Sequence, residues 1–341
     1  MLMVQEQNQK SKEISSIQSL IDTYIRYKQY STRLERKYDY YHPSEWGKCL
    51  RMQQYRHYVW SGKIEFEYPE MKSKKIRLFD TGHSMHHRFQ DYFDDMGNIL
   101  MGRWRCTNPL CYLFDDHGKA DFSSTSISEA YQKNTSRTHE GDNHEPIFKP
   151  DQCVCGNSNF DYVETTVFNE RLKFKGNADI VLNCDNLDLE KFKKSVVNTC
   201  DIRFLPLKGR RIVIDMKSIG SKQWDKQVKK YGVHRDYIIQ IIIYAYLLNC
   251  DYGVILYENK DDSQMELFKI DKDPQIWEVI QFQAEQMIQM RSTSSLPPPR
   301  PSDKDDLSCL SCDFRRLCHK SSIWNDPHLK EGRSDFYKCL L

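Results

Sequence analysis

The sequence predicts an α/β protein, a mixed central sheet flanked by helices, and three kinds of stretch carry that reading. "RLKFKGNADIVLN" (171–183) and "RRIVIDMKS" (210–218) have the β-branched and apolar content of strands. "RDYIIQIIIYAYLLN" (235–249) is an apolar run too long for a strand and reads as a helix. "YGVILYE" (252–258) and a segment around "MELFKI" (265–270) return to strand composition. Strand, strand, long apolar helix, strand is the order expected of a mixed sheet with helices packed on it.

Upstream of that core, residues 11–40 carry helical periodicity in Ile14, Ile17, Leu20, Ile21, Tyr24 and Ile25. "YHPSEWGKCLRMQQYRHYVW" (41–60) has a Pro-Ser start followed by a helix. Residues 77–97 read as another helix, with Phe89, Tyr92 and Phe93 on its buried side. Between 102 and 160 the character changes to cysteine pairs and polar residues. Within that block "DFSSTSISEAYQKNTSRTHEGDNHEP" (121–146) is expected to be a long mobile loop. "SSLPPPRPSDKDD" (294–306) is an extended proline-rich linker. The expected organisation is a helical region over 1–101, an insertion over 102–160, the α/β core over 161–295 and a cysteine-bearing segment over 296–341.

Among the 341 residues, 50 Lys and Arg nearly balance 48 Asp and Glu, so any nucleic-acid surface must be local. No apolar run approaches the length of a membrane span, and "MLMVQEQNQKSKEISS" lacks the apolar centre of a secretory signal. A soluble, cytoplasmic protein with no membrane partner is the expectation. Twelve cysteines then point to metal ligation rather than disulfides. Cys184, Cys200, Cys250 and Cys339 stand alone and read as small hydrophobes.

"VIDMKS" places Asp215 and Lys217 two apart on a strand, so both side chains leave one face while Ile214 and Met216 leave the other. On a solvated edge this is an ordinary ion pair. At the end of an apolar strand it has chemical use: the carboxylate can hold Mg2+ or Mn2+, and the lysine can orient water and stabilise charge on a phosphate. Asp179 follows Gly176 and Ala178 in the preceding strand, so pairing of the two strands would converge Asp179 and Asp215 on one hard cation. Gln240 and Tyr244 lie one turn apart on one face of the long helix.

The chain "GNADIVL … IDMKS … QIIIYAYLL" resembles the PD-(D/E)xK nuclease superfamily, and its Gln-x3-Tyr pair resembles the RecB-like branch. "FDTGHSMHHRFQDYF" is similar to that branch's Gly-x3-His segment, which makes His86 the matching metal ligand ahead of His87 and His83. His87 stands where the branch has an acidic residue. Five motifs in order cover most of the chain outside 102–160. The resemblance implies a restriction-endonuclease-like core and a metal-dependent DNA exonuclease of replication, recombination or repair, acting on single strands or ends. It implies Mg2+ or Mn2+ on His86, Asp179, Asp215 and the Met216 carbonyl. Lys217 would position water, Gln240 would order the metal or lysine environment, and Tyr244 would support the substrate or the active-site helix.

"CLSCDFRRLC" offers Cys309, Cys312 and Cys318 in a C-x2-C-x5-C spacing, three thiolates of a centre that wants four. The RecB-like nucleases that include CRISPR-associated and AddB-type members carry a four-iron four-sulfur cluster on this spacing, with one cysteine upstream of the core. "HPSEWGKCLR" supplies Cys49 for that position, which implies a clasp joining the N- and C-terminal segments. Thiolate chemistry alone leaves zinc open. In the insertion, "RCTNPLC" and "QCVCGN" read as a zinc-ribbon-like site on Cys106, Cys111, Cys153 and Cys155, with His117 or His144 able to replace one cysteine. The x4 and x1 spacings depart from the usual x2, and two unrelated thiol pairs are the alternative.

After the catalytic strand, "GSKQWDKQVKKYGVHRDY" mixes Lys222, Lys226, Lys229, Lys230 and Arg235 with Trp224 and Tyr231. Cations interleaved with rings suit single-stranded DNA, and Arg51 and Arg56 beside Cys49 are further candidates. A solvated basic helix has the same composition. The competing functional expectation is a nuclease-fold DNA-binding or assembly module of a replication, repair or viral complex. A G-x4-GK[ST] loop is missing, which argues against a complete helicase-nuclease, and the zinc-like insertion favours a phage-encoded relative.

Overall fold

The computed structural model describes residues 18–28, 38–68, 71–120, 137–187, 207–298 and 307–320. Its centre is a mixed sheet flanked by helices. The strands are β1 (Leu100–Cys106), β2 (Thr138–His139), β3 (Ile147–Phe148), β4 (Phe160–Val163), β5 (Thr165–Asn169), β6 (Phe174–Ala178), β7 (Ile180–Asn183), β8 (Arg211–Ile219), β9 (Tyr252–Asn259) and β10 (Met265–Asp271). The longer helices are α1 (Leu50–Trp60), α2 (Ser73–Asp95), α3 (Arg235–Leu247) and α4 (Pro274–Thr293). The main sheet runs β10-β9-β8-β7-β1-β2, with β3 and β4 also paired to β1. Among the described strands only β8 and β9 are parallel within it, and α3 is the crossover that parallel neighbours require.

The strand expected over 171–183 is two strands. β6 pairs with β5 in a separate two-stranded sheet, whereas β7 pairs with β1 and β8 in the main sheet. Asp179 is the residue between them. Its carbonyl oxygen accepts from Gln90 Nε2 at 3.1 Å and Tyr162 OH at 3.2 Å, so the main chain leaves one ladder for the other with its acceptor satisfied.

The 102–160 block does not hang from the sheet. β1 starts before it and is paired on both sides along its length: β7 and β3 flank it at Met101, and β4 and β2 flank it at Trp104 and Arg105. Residues 121–136 of the expected mobile loop lie outside the described residues, as do Cys200, Cys339 and linker residues 299–306. Residues 137–146 do not fit the loop expectation, because β2 and a 3-10 turn over Asp142–His144 fall within them.

On α2, Phe89 is buried and Phe93 is partly buried. Tyr92 corrects the sequence expectation: it is 50% exposed, because it sits off the stripe shared by residues four apart and meets Phe89 only edge-on. Gly82 lets α2 approach β8, since a Cβ there would stand 3.3 Å from Ser218 Oγ. The N-terminal segment is fastened to α4 and to the residues just beyond its end. Trp46 Nε1 donates to Gln283 Oε1 at 3.2 Å, and Tyr58 OH donates to the carbonyls of Met290 at 3.0 Å and Ser295 at 2.5 Å. No helix among the described residues is long and apolar enough to cross a membrane.

Candidate functional site

β8 carries Asp215 and Lys217 to one face at the break between β6 and β7. Asp215 is 1% exposed; its Oδ1 accepts from Gln240 Nε2 at 2.8 Å, and its Oδ2 lies 2.7 Å from Lys217 Nζ. Gln240 also donates to Tyr244 OH at 3.2 Å, so the two motif residues of α3 act on Asp215 as one linked pair. Lys217 Nζ stands 4.7 Å over the Tyr237 ring. Gly176 allows close packing beneath this group, because a Cβ would stand 3.1 Å from Pro43 Cδ and 3.3 Å from Tyr244 OH and push them back by a few tenths of an ångström.

Asp179 lies beside Asp215 because Ile180 pairs with Ile214 across β7 and β8. Its Oδ2 accepts the Met216 backbone N–H at 2.7 Å, while Oδ1 faces His86 Nδ1 from α2 at 3.4 Å. Burial first, and Asp215 second, push the Asp179 carboxyl up to about 7. Burial opposes charge on His86 and Lys217, yet the carboxylates outweigh it and raise both: Glu164 and Asp179 for His86, Asp215 and Asp179 for Lys217. Burial raises the Tyr244 hydroxyl well above its ordinary range, so it stays protonated. Two carboxylates in a dry pocket, one of them ready to keep its proton, form a setting that a cation would relieve.

The structure adds Glu164, which the sequence did not single out. Its carboxylate and the ligand atoms of His86 and Asp179 lie within 4.8 Å of one another. Thr165 pairs with Ala178 across β5 and β6, so the next residues outward, Glu164 and Asp179, face each other where the hairpin leaves the sheet. Only the register reveals this; no spacing in the sequence does. His83 is exposed, and His87 lines a 450 Å³ cavity with Gln90, Arg103, Tyr162 and Glu164.

Two residues expected at the substrate surface are interior, and both expectations are corrected. Trp224 is 3% exposed and packs in the core with Val228 and Ile241, so its ring has no face for a base. Arg51 is 1% exposed and donates to the Pro297 carbonyl at 2.8 Å. Lys222, Lys226, Lys229, Lys230 and Tyr231 are exposed along the helical run 221–231, and Arg235 is half-buried. That run includes a π-helical turn over Trp224–Val228, which keeps Trp224 and Val228 inward. Lys229 pairs with Asp225 at 2.9 Å, and Lys230 lies 5.0 Å from the Tyr231 ring centroid. Arg56 forms an ion pair with Glu45 instead of reaching solvent freely.

Cys106, Cys111, Cys153 and Cys155 converge, with all four sulfurs within 4.8 Å of one another. Cys106 and Cys155 Sγ are 3.6 Å apart, and Cys111 and Cys153 Sγ are 3.4 Å apart. Those separations are far beyond a disulfide's ~2 Å and approach the ~3.8 Å edge of a tetrahedron with metal–sulfur bonds of about 2.3 Å. Asn157 Nδ2 donates to Cys106 Sγ at 3.2 Å and Asn108 Nδ2 to Cys155 Sγ at 3.4 Å. Burial raises the Cys111 and Cys153 thiols. It opposes ionisation of Cys155 too, but the Asn157 backbone and the Asn108 amide bring that thiol down to about 7. His139 Nε2, not His117 or His144, is the imidazole that reaches this group, at 3.2 Å from Cys153 Sγ. Three buried thiols and one half-buried thiol so placed could hold a metal ion.

Cys49, Cys309, Cys312 and Cys318 also come together, near enough for their charges to act on Cys312 and Cys318. Burial, joined by Cys49, Cys309 and Cys318, pushes Cys312 up to about 12. Burial raises Cys318, and the neighbouring Arg51 guanidinium opposes the rise. Phe314, fully buried within the triple, stacks on Tyr55 of α1 at 5.3 Å.

No known protein family and no curated protein matches this chain. Among solved structures, the crystal structure of SSO0001 is similar at 14% identity and a TM-score of 0.41, over 89% of this chain and 97% of that one. An alkaline exonuclease from Laribacter hongkongensis is similar at 11% identity and a TM-score of 0.28, over 38% of this chain and 56% of that one. Both likenesses are too weak to bear on the chemistry of the cleft.

Proposed function

We propose that this chain is a divalent-metal-dependent deoxyribonuclease that hydrolyses phosphodiester bonds in single-stranded DNA or at DNA ends, in replication, recombination or repair. The supporting observation is the convergence of Asp179, Asp215, Lys217, Gln240 and His86 at the strand break. An imidazole with carboxylates is a donor set that fits Mn2+ or Mg2+, and His86, Asp179, Asp215 and the Met216 carbonyl would hold it. A bound divalent ion supplies Lewis acidity and lowers the pKa of coordinated water.

The remaining work falls to the chain's own side chains. Lys217, held charged by Asp215 and Asp179, offers a cation and a hydrogen-bond donor to the scissile phosphate. Gln240 fixes the Asp215 carboxylate, and Tyr244 fixes Gln240. Lys222, Lys226, Lys229, Lys230, Tyr231 and Arg235 supply charge and a stacking ring along the approach to the site.

The two cysteine centres complete the proposal: zinc on Cys106, Cys111, Cys153 and Cys155, and a four-iron cluster on Cys49, Cys309, Cys312 and Cys318. In the second set the described thiols do not draw within 4.8 Å of one another as the first set's do. Cys312→Ser in anaerobically purified protein should abolish visible absorption and iron while zinc stays; iron retained at full occupancy would reject the cluster. For the nuclease itself, Asp215→Ala and Lys217→Ala should each cut Mn2+-dependent degradation of single-stranded DNA by about 100-fold or more. Undiminished activity in both variants would sink the proposal.

A further inference from the structure

We infer that Glu164 is a further metal ligand beside His86 and Asp179, and that these three converge on one cation position bordered by Asp215. The inference rests on the cleft being the metal-bearing site of a phosphodiester hydrolase, and it names a ligand that the motif resemblance does not supply.

The donors already engaged decide which atoms remain for an ion. Asp215 Oδ1 accepts from Gln240, and its Oδ2 is ion-paired with Lys217 but, among the described residues, has no hydrogen bond of good geometry. Asp179 has Oδ2 occupied by the Met216 N–H. Its Oδ1 is turned to His86, and Glu164 Oε1 lies on the same side, 3.8 Å from His86 Nδ1. His86 Nδ1 is buried and, among the described residues, has no hydrogen-bond partner of good geometry. Three ligand atoms thus converge within 4.8 Å of one another.

The backbone forces the arrangement. The β5–β6 register sets two carboxylates opposite each other at the root of the hairpin, where like charges are destabilising. Arg103 does not neutralise them: its Nε donates to the Glu164 main-chain oxygen at 2.9 Å, leaving the carboxylate to the pocket. A divalent cation turns that repulsion into coordination. One nitrogen and two carboxylates favour Mn2+ over Mg2+ and Ca2+, which prefer all-oxygen shells.

The test is titration of the full-length protein with Mn2+ alone, followed by calorimetry and by the Mn2+ paramagnetic resonance signal, without DNA. Glu164→Gln should weaken Mn2+ binding by about 10-fold or more without lowering the melting temperature of the metal-free protein, since its side chain is one-third exposed and its charge faces that of Asp179. Glu164→Asp should retain part of the affinity. Asp161→Asn, an exposed carboxylate three residues away on the same segment, should bind as wild type. Wild-type affinity in Glu164→Gln, or an equal loss in Asp161→Asn, overturns the inference. A protein that binds Mn2+ through Glu164 yet never cuts DNA would keep this ligand and reject the nuclease, so the two failures are separable.

Discussion

Among the described residues, two donor sets draw their ligand atoms within 4.8 Å of one another, and they are built in opposite ways. Cys106, Cys111 and Cys153 are buried, with Cys155 half-buried, and amides from Asn108 and Asn157 point at the sulfurs. The set is soft, four-membered and closed. His86, Glu164 and Asp179 offer one nitrogen and two carboxylates, and Glu164 lines a 450 Å³ cavity. That set is hard, three-membered and open. Closure with four thiolates suits an ion that holds structure; vacant coordination beside a cavity suits one that meets substrate.

The same strands join them. Cys106 ends β1 opposite Phe160, and three pairs along Arg103 lies opposite Val163, the residue before Glu164. A slip of one residue between β1 and β4 would turn Glu164 to the other face. The thiol centre therefore sits where it can fix the register that delivers a carboxylate to the cleft, which gives the 102–160 block a positioning role within the proposed nuclease.

The contrast breaks most easily at the closed set. Cys153→Ser should lose the zinc proposed for this set and, with it, the β1–β4 end of the sheet, because structural zinc–thiolate sites carry apparent binding energies of about 10 kcal/mol. Metal analysis should fall from about one zinc per chain to none, with a large drop in melting temperature. Cys184→Ser, a buried thiol outside both sets, should cost only a small part of that. Unaltered stability in Cys153→Ser would make the four sulfurs two unrelated thiol pairs.

How far each set was legible in the sequence depends on what holds it together. Asp215 and Lys217 share a face through strand alternation, and Gln240 and Tyr244 through a helical turn, so local period was enough. Asp179 was legible as a carboxylate in an apolar strand, although the break at that residue was not, because it depends on Gln90 and Tyr162 from elsewhere. Glu164 depended wholly on hairpin register. Trp224 read as a stacking ring among lysines because composition cannot show a π-helical turn that directs a side chain inward. Arg51 read as a DNA contact because nothing local reveals the Pro297 carbonyl it meets. The fold class needed only the order and length of apolar runs.

A smaller effect, of opposite sign, sharpens the comparison at the open set. Removing a thiol should destabilise the protein, whereas removing the Asp179 charge should stabilise the chain kept free of Mg2+ and Mn2+. The carboxyl rises from an ordinary 3.8 to about 7 on folding. A raised acid favours the folded state fully only below its unfolded value, so stability is lost as pH climbs from about 4 to about 7 and then levels off. His86, raised by Glu164 and Asp179, acts in the same direction, since its protonated form is favoured by folding and that benefit fades as pH rises. Asp179→Asn deletes the carboxylate's share, so its advantage over wild type should grow through that window and reach the order of a few kcal/mol at pH 8. Denaturant unfolding of both proteins at pH 5 and pH 8 measures it. Saturating Mn2+ should then reverse the order, because the wild type gains ligation energy that the variant has largely given up. An Asp179→Asn protein less stable than wild type at pH 8 without metal would mean that the carboxylate holds the strand break together, and that the open set is structural after all.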